Sequence, residues 1–300
     1  MSSRPAETAV GEMKFGDHLC LAYDNDAERY AVLLAYIRDG LRARHKVVYL
    51  AGERGPEETL ARLIRAAAPD PDQASVLAGA AETGQLAIKP VVEAVRAAGR
   101  SDPSVTLLGM EIDLALGEGY AGARITGETS FNLRGRPGGG RFDEFEDRCR
   151  RTFAQPGVRA MAVCQYDRRW FDDAQLRRLE GSHDGHVGVN DLYADGVLTI
   201  TPLYTPPGLR VAGAIDESTL PALRRALRQV GGRGSHLCLD LSALEFCDME
   251  GLRVLVGANQ TGTGLDRQVV LRGVPGYLGL MMRISGWEAM PGVFVEGVAR

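Results

Sequence analysis

The chain is short of lysine, aromatic residues, cysteine and unbroken apolar runs, and each shortage narrows what it can be. Lysine occurs only at Lys14, Lys46 and Lys89. None of them lies in the G-x-x-x-x-G-K-[ST] frame that wraps phosphates in backbone N–H groups. Triphosphate hydrolysis through such a loop is therefore not expected, while weak nucleotide binding stays open. No run or stripe of basic residues occurs, and the formal charge is −4. Both argue against a direct nucleic-acid surface. No stretch approaches the ~18 apolar residues that a membrane span needs. Residues Met1–Val10 lack the charged flank and apolar centre of a signal peptide. The expectation is a cytoplasmic protein with no membrane association. Five cysteines are present, Cys20, Cys149, Cys164, Cys238 and Cys247, without a C-x-x-C pair. An odd number at wide spacing suits reduced thiols better than a disulfide framework. Basic residues that are nearly all arginine, with much alanine and glycine, suggest a GC-rich bacterial genome.

What is present reads as two α/β segments, since a single core seldom keeps growing to 300 residues. Residues 202–208 contain three prolines, which fix φ and remove backbone donors. They are taken as the joint, with domains at 1–204 and 205–300. A glycine-rich loop is expected at 134–141. In the first segment, Ala27–Arg44 carries apolar residues at a helical period. Helices are also expected from Pro56 to Ala68, from Pro90, over Val105–Leu116, over Asp143–Phe153 and over Asp172–Leu179. Strands are expected at Val47–Leu50, Gln85–Ile88, Ala123–Thr126 and Ala160–Gln165. Repeated βα units imply a mostly parallel sheet covered on both faces. In the second segment, strands are expected at Leu209–Ile215, His236–Leu241 and Gln268–Leu271. Helices are expected at Glu217–Val230, from about Glu250, and from Pro275 to Ile284, with a loop at Ser242–Asp248.

The run from Leu239 to Leu255, LDLSALEFCDMEGLRVL, resembles the signature of STAS domains, the anti-sigma-factor antagonists. Val211–Asp216 adds to the resemblance, which covers roughly Leu209–Gly297. It implies a partner-switch loop of Ser242, Asp248, Met249, Glu250 and Gly251, and a protein partner that is an anti-sigma factor and serine kinase or another regulator. In that family a serine or threonine between the aspartate and the glycine is phosphorylated. Here Met249 and Glu250 stand there, and neither has a hydroxyl. A carboxylate is favoured at a helix start, as a phosphate is. Glu250 therefore reads either as a permanent phosphate-like charge or as a good first-turn residue. Asp248 reads as the helix cap.

Four further segments, Gly16–Tyr23, Gly119–Glu128, Phe145–Glu146 and Ala162–Asp167, resemble the MEDS sensory domain in order and spacing. The resemblance covers about Phe15–Tyr204. It implies a degenerate RecA/KaiC-like parallel sheet and an input module for small organic compounds. Pockets in such sheets lie beyond the strand C-terminal ends. The candidate ligand-binding residues are His18, Cys20, Tyr23, Arg124, Glu128, Cys164, Gln165, Tyr166 and Asp167. Arg124 with Glu128 or Glu146 also reads as a buried ion pair, and Asp167 as a cap. His18 and Cys20 point to one face if they lie on a strand. With Cys164 and His183 they offer metal-ligand chemistry, but buried cysteine usually acts as a small hydrophobe. No metal and no other cofactor is expected. The function expected is a non-enzymatic regulator in which a ligand-sensing module controls a STAS surface. The alternatives are a scaffold acting through homo-oligomerisation and, less favoured, a residual ATPase.

Overall fold

Seven short apolar strands and the helices between them build the N-terminal sheet. In this computed structural model the described residues are 7–52, 54–91, 107–128, 140–171, 173–204, 206–230, 236–260 and 268–298, without the side chains of 7, 140–146, 173, 259–260 and 297–298. Of the glycine-rich loop expected at 134–141, residues 134–139 lie outside them and Gly140 and Arg141 begin a helix; the helix following Pro90 and the side chains of Phe145 and Glu146 also lie outside them. The strands are β1 (Glu7–Ala9), β2 (His18–Tyr23), β3 (Lys46–Ala51), β4 (Leu86–Pro90), β5 (Ala123–Glu128), β6 (Ala160–Asp167) and β7 (Gly185–Gly188). They run in the order β1-β7-β2-β6-β5-β3-β4, and every pair is parallel.

The helices of this unit are α1 (Asp26–Arg42), α2 (Pro56–Ala67), α3 (Pro71–Glu82), α4 (Leu107–Gly117), α5 (Gly140–Phe153) and α6 (Asp173–Glu180). Alternation along each strand sends side chains to opposite faces. Leu19, Leu21, Tyr49, Met161 and Val163 pack with residues of α1, α2 and α3. Val48, Ala123, Ile125 and Ala162 pack on the other face with Leu108, Ile112, Cys149 and Phe153. Cys20, Cys164 and Tyr166 continue that second face with Phe171, Leu176 and Leu179 of the α6 region. Helix α3 was not expected, although Asp70 caps it through the Gln73 N–H and Pro71 occupies its first turn.

The second unit is a six-stranded mixed sheet, β8 (Tyr193–Ala194), β9 (Leu198–Tyr204), β10 (Pro207–Ile215), β11 (His236–Cys247), β12 (Gln268–Val274) and β13 (Val293–Val298). The order is β13-β12-β11-β10-β9-β8, with β8 and β9 antiparallel to their neighbours. Helices α7 (Leu220–Val230), α8 (Met249–Val256) and α9 (Gly276–Ile284) cover it. Leucines and valines of β9–β12 and of these helices form one core.

Three expectations change here. The proline-rich stretch does not join the two units but lies within the sheet of the second: Pro202 is in β9, paired with Leu209 of β10, and Pro207 opens β10. The Ala214 N–H bonds the Val197 carbonyl. Counting back by alternate pairs puts Leu209–Pro202 at a non-hydrogen-bonded position. The nitrogen of Pro202 therefore faces away from β10, beyond the two-residue β8, where no ladder bond is lost. The chain divides between Val189 and Asn190, so β8 and β9 belong to the second unit. Ser242–Cys247 is not a loop but the second half of β11. Helix α7 starts at Leu220, after a turn in which Asp216 Oδ1 accepts from the Ser218 and Thr219 N–H groups.

Candidate functional site

The nine candidate residues of the first unit do not form one cluster; strand parity splits them across the sheet. On the α1 face, Arg29 is the organiser. It stands on the buried stripe of α1 with Val32, Leu33, Tyr36 and Ile37. Its Nε donates to Gln165 Oε1 at 2.8 Å, and its Nη2 donates to Tyr49 Oη at 2.7 Å and Glu128 Oε1 at 2.8 Å. Tyr49 Oη donates to the same Glu128 oxygen at 2.8 Å. Gln165 Nε2 donates to Thr126 Oγ1, which donates to the Val163 carbonyl. Three strands and one helix thus close a single polar network near the C-terminal ends of β3, β5 and β6. The rings of Tyr23 and Tyr30 lie 5.3 and 5.5 Å from the Arg29 guanidinium, within cation–π range.

Burial governs the ionisation of these groups. Burial disfavours charge on Arg29, but Tyr49 and Glu128 beside it hold its pKa above the ordinary arginine value. Burial raises Tyr49, against the pull of Arg29, and pushes Tyr23 up to about 12. Both phenols are neutral donors at neutral pH. Gly52 stands against the carboxylate: a Cβ there would lie 3.0 Å from Glu128 Oε2.

Arg124 is not part of this cluster. It is the second residue of β5, at the opposite end of the strand from Glu128. Its guanidinium donates to the Tyr36 carbonyl and lies against the Tyr36 ring and His45. Glu128 pairs with Arg29 and not with Arg124, because four residues of extended strand separate the two by roughly 13 Å. Arg29 escaped the sequence reading, though an arginine on an otherwise apolar helical stripe is a readable signal.

Asp167 is a structural group. It accepts from the Arg169 backbone N–H, from Arg169 Nε and Nη2 at 2.7 and 2.6 Å, and from Trp170 Nε1. Burial opposes its charge, yet these hydrogen bonds hold its pKa below the ordinary carboxylate value.

His18, Cys20, Cys164 and Tyr166 lie on the other face. His18 Nε2 is 3.3 Å from Cys164 Sγ, and the His18 and His183 ring centroids are 4.3 Å apart. Tyr166 meets His183 edge-on at 5.6 Å. His186 is in β7, 3.8 Å from Glu180.

In the second unit, α8 starts at the end of β11. Asp248 caps it, its Oδ1 accepting from the Gly251 N–H at 2.6 Å. A Cβ at Gly251 would meet Ile215 Cγ2 at 2.5 Å and Cys247 Sγ at 2.9 Å, so only glycine lets the helix start seat this closely on β10 and β11. Glu250 points outward, half-exposed, bridging Arg224 Nη2 of α7 at 2.8 Å and Arg253 Nη1 of α8 at 3.1 Å. Met249 and Phe246 are exposed beside it. Burial pushes the Cys247 thiol up to about 12, which keeps it protonated. Ser242 lies away from this helix start, in mid-β11, and its hydroxyl donates to Asp240 Oδ1 at 2.7 Å.

A parallel sheet with a polar network at its strand ends, followed by a mixed-sheet unit presenting a capped helix start, fits a regulatory protein of two α/β units. Comparison with protein families agrees: residues 17–184 match the model described as MEthanogen/methylotroph, DcmR Sensory domain, and residues 205–295 match the model described as Mlab, STAS domain. The chain belongs to the MEDS family and carries a STAS domain. Strands β8 and β9 precede the STAS match yet complete its sheet. No curated protein matches the chain. Among the described residues no helix is long and apolar enough to cross a membrane.

Proposed function

We propose that the chain is a non-enzymatic bacterial regulator, in which a small organic molecule sensed by the first unit controls binding of a regulatory protein by the second. The carrying observation is the form of the α8 start. Asp248 caps it, Gly251 seats it, and the position between them holds Glu250, which cannot be phosphorylated. Glu250 is bridged by two arginines, so its single charge is already met. This favours a good first-turn residue over a phosphate-like charge, because a phosphoserine would bring about −1.5 to −2. Input then comes through the Arg29–Glu128 network. There a donor on the ligand would meet a carboxylate bordered by tyrosines.

Two further features support this reading. Helix α1 begins after only Asp24 and Asn25, with Asn25 Oδ1 accepting from the Glu28 N–H and with Asp26 and Glu28 in its first turn. A triphosphate would meet like charge there and a helix end already capped. The five cysteines are free and buried, in keeping with a reducing cytoplasm.

The test uses purified anti-sigma-factor kinases from a host carrying the gene. Binding to the full chain should be unaffected by ATP, and phosphate should not be incorporated into residues 248–251. Calorimetric binding that appears only after phosphorylation of this chain would overturn the output half. For the input half, a panel of small alcohols and amines should include one that raises the melting temperature of wild type but not of Glu128→Gln. A panel that shifts both alike would remove Glu128 from the site.

A further inference from the structure

The network just described leaves one polar cluster of the first unit without a role. His18 opens β2, Cys164 lies in β6, and His183 follows α6. Their ligand atoms all lie within 4.8 Å of one another. We propose that His18, Cys164 and His183 bind a single zinc-class ion as its three protein ligands.

Geometry carries this first. Zinc bonds of about 2.0–2.1 Å to nitrogen and 2.3 Å to sulfur put tetrahedral N···S pairs about 3.5 Å apart. His18 Nε2 and Cys164 Sγ already stand at 3.3 Å. The remaining separations close with a movement of roughly an ångström, against those same bond lengths.

The tautomer of His183 follows from its neighbour. Its Nδ1 is 2.7 Å from the Leu179 carbonyl. A carbonyl only accepts, so Nδ1 carries the proton and Nε2 carries the lone pair. Orientation of a ligating imidazole by a backbone carbonyl is the usual outer-shell arrangement at metal sites. The segment bearing His183 is also tied to His18 itself: the Asp184 N–H bonds the His18 carbonyl, and Asp184 Oδ2 accepts from the His18 N–H. The two imidazoles are thereby held together before any ion arrives.

Ionisation agrees with that geometry. Burial, then the neighbouring His183, lowers His18 to about 3, and burial lowers His183 to about 4. Both rings are neutral at neutral pH, the form that binds metal. Phe153 stacks on His18 at 5.4 Å, and the His183 Nε2 that would face the ion is shielded from solvent. Two imidazoles and a thiolate suit zinc rather than magnesium or calcium, which prefer oxygen. On binding, the Cys164 S–H bond breaks, the Cys164 sulfur–metal bond forms, and the proton passes to buffer. Cys20, opposite Cys164 in the parallel register, is not in the cluster. The pairing of His18 with Cys20, suggested by their spacing, is replaced by one with Cys164.

The experiment titrates the reduced, metal-free full chain with Co2+. Expected are one ion per chain, visible d–d bands of tetrahedral strength and a thiolate-to-cobalt charge-transfer band, all displaced by Zn2+. Cys164→Ser should remove the charge-transfer band, and His183→Gln should weaken binding at least tenfold. Cys20→Ser should leave both unchanged. Circular dichroism checks that each variant is folded. Should a variant fail to fold, the wild-type chain still decides, by the stoichiometry of its cobalt uptake and by its thiolate-to-cobalt band. The proposal is overturned if the folded wild type takes up no cobalt, if its cobalt complex lacks the charge-transfer band, or if Cys164→Ser keeps that band.

Discussion

Arg29–Glu128 and Arg224–Glu250 are the same pair of groups at the same 2.8 Å separation. The side chains of the first pair are 6% and 15% exposed, and those of the second are 48% and 44% exposed. In the first unit the pair is one edge of a closed network with Tyr49, Gln165 and Thr126. Every member there is held by at least one other, so a change at one strand end is felt at the others. In the second unit water and salt screen the pair, and its net worth falls below about 1 kcal/mol. The first arrangement suits a site whose state must reach its surroundings. The second suits a surface whose charges are exchanged for those of a partner.

The comparison breaks most readily at Arg29. Arg29→Met should destabilise the first unit by about 3–5 kcal/mol, because Glu128 and Tyr49 lose their shared donor while staying largely buried. Urea unfolding followed separately in each unit checks this. A loss below about 1 kcal/mol would make the buried pair equivalent to the exposed one, and the contrast would fail.

Asp167 sharpens the same contrast from the edge of the network. Its folded pKa lies below the ordinary value. Its contribution is therefore fully present above about pH 4, the unfolded value, and is lost as pH falls through the folded one. Asp167→Asn should cost about 1–2 kcal/mol at pH 7, discounted for the exposed Arg169. It should also flatten the decline of stability on the acid side. Equal acid slopes in wild type and variant would contradict this.

Much of this was legible from residue order. Short apolar segments placed β3, β5, β6 and β10 to within about two residues, and the Asp248-x-x-Gly251 spacing gave the cap and its helix. Two kinds of information were not. Hydrogen-bonded register decided that Pro202 could enter a strand, and register is a property of the partner strand. The network needed Arg29, which is distant in sequence from Glu128 and Gln165 and reaches them only because α1 packs across β2, β5 and β6. Parity was available from the start: Cys164 and Gln165 are neighbours on one strand, so they could never have lined one pocket.

Asp248 tests whether the output surface depends on its own local order. Asp248→Ala removes the acceptor for the Gly251 N–H and should cost about 1 kcal/mol in the second unit. The first unit should melt unchanged. If both units lose stability together, they do not unfold independently, and the contrast between their charge pairs has to be measured on the whole chain.

The smallest effect belongs to Glu250. Glu250→Gln removes the anion between Arg224 and Arg253 and should change stability by less than about 0.5–1 kcal/mol, because all three groups are screened by water. The two arginines repel across the gap it leaves, and this offsets part of what the exposed bridge contributed. The effect on association should be larger than the effect on folding. With Glu250 in place the cluster carries a net charge of +1 from two arginines and one carboxylate. With glutamine it carries +2, and electrostatic steering of an acidic partner should strengthen at low salt. A variant that binds its partner faster at low ionic strength, with the difference vanishing at high salt, would show that Glu250 tempers a basic surface. A variant that loses binding at every salt concentration would instead make the carboxylate itself the contact, and the phosphate-like reading of this position would return.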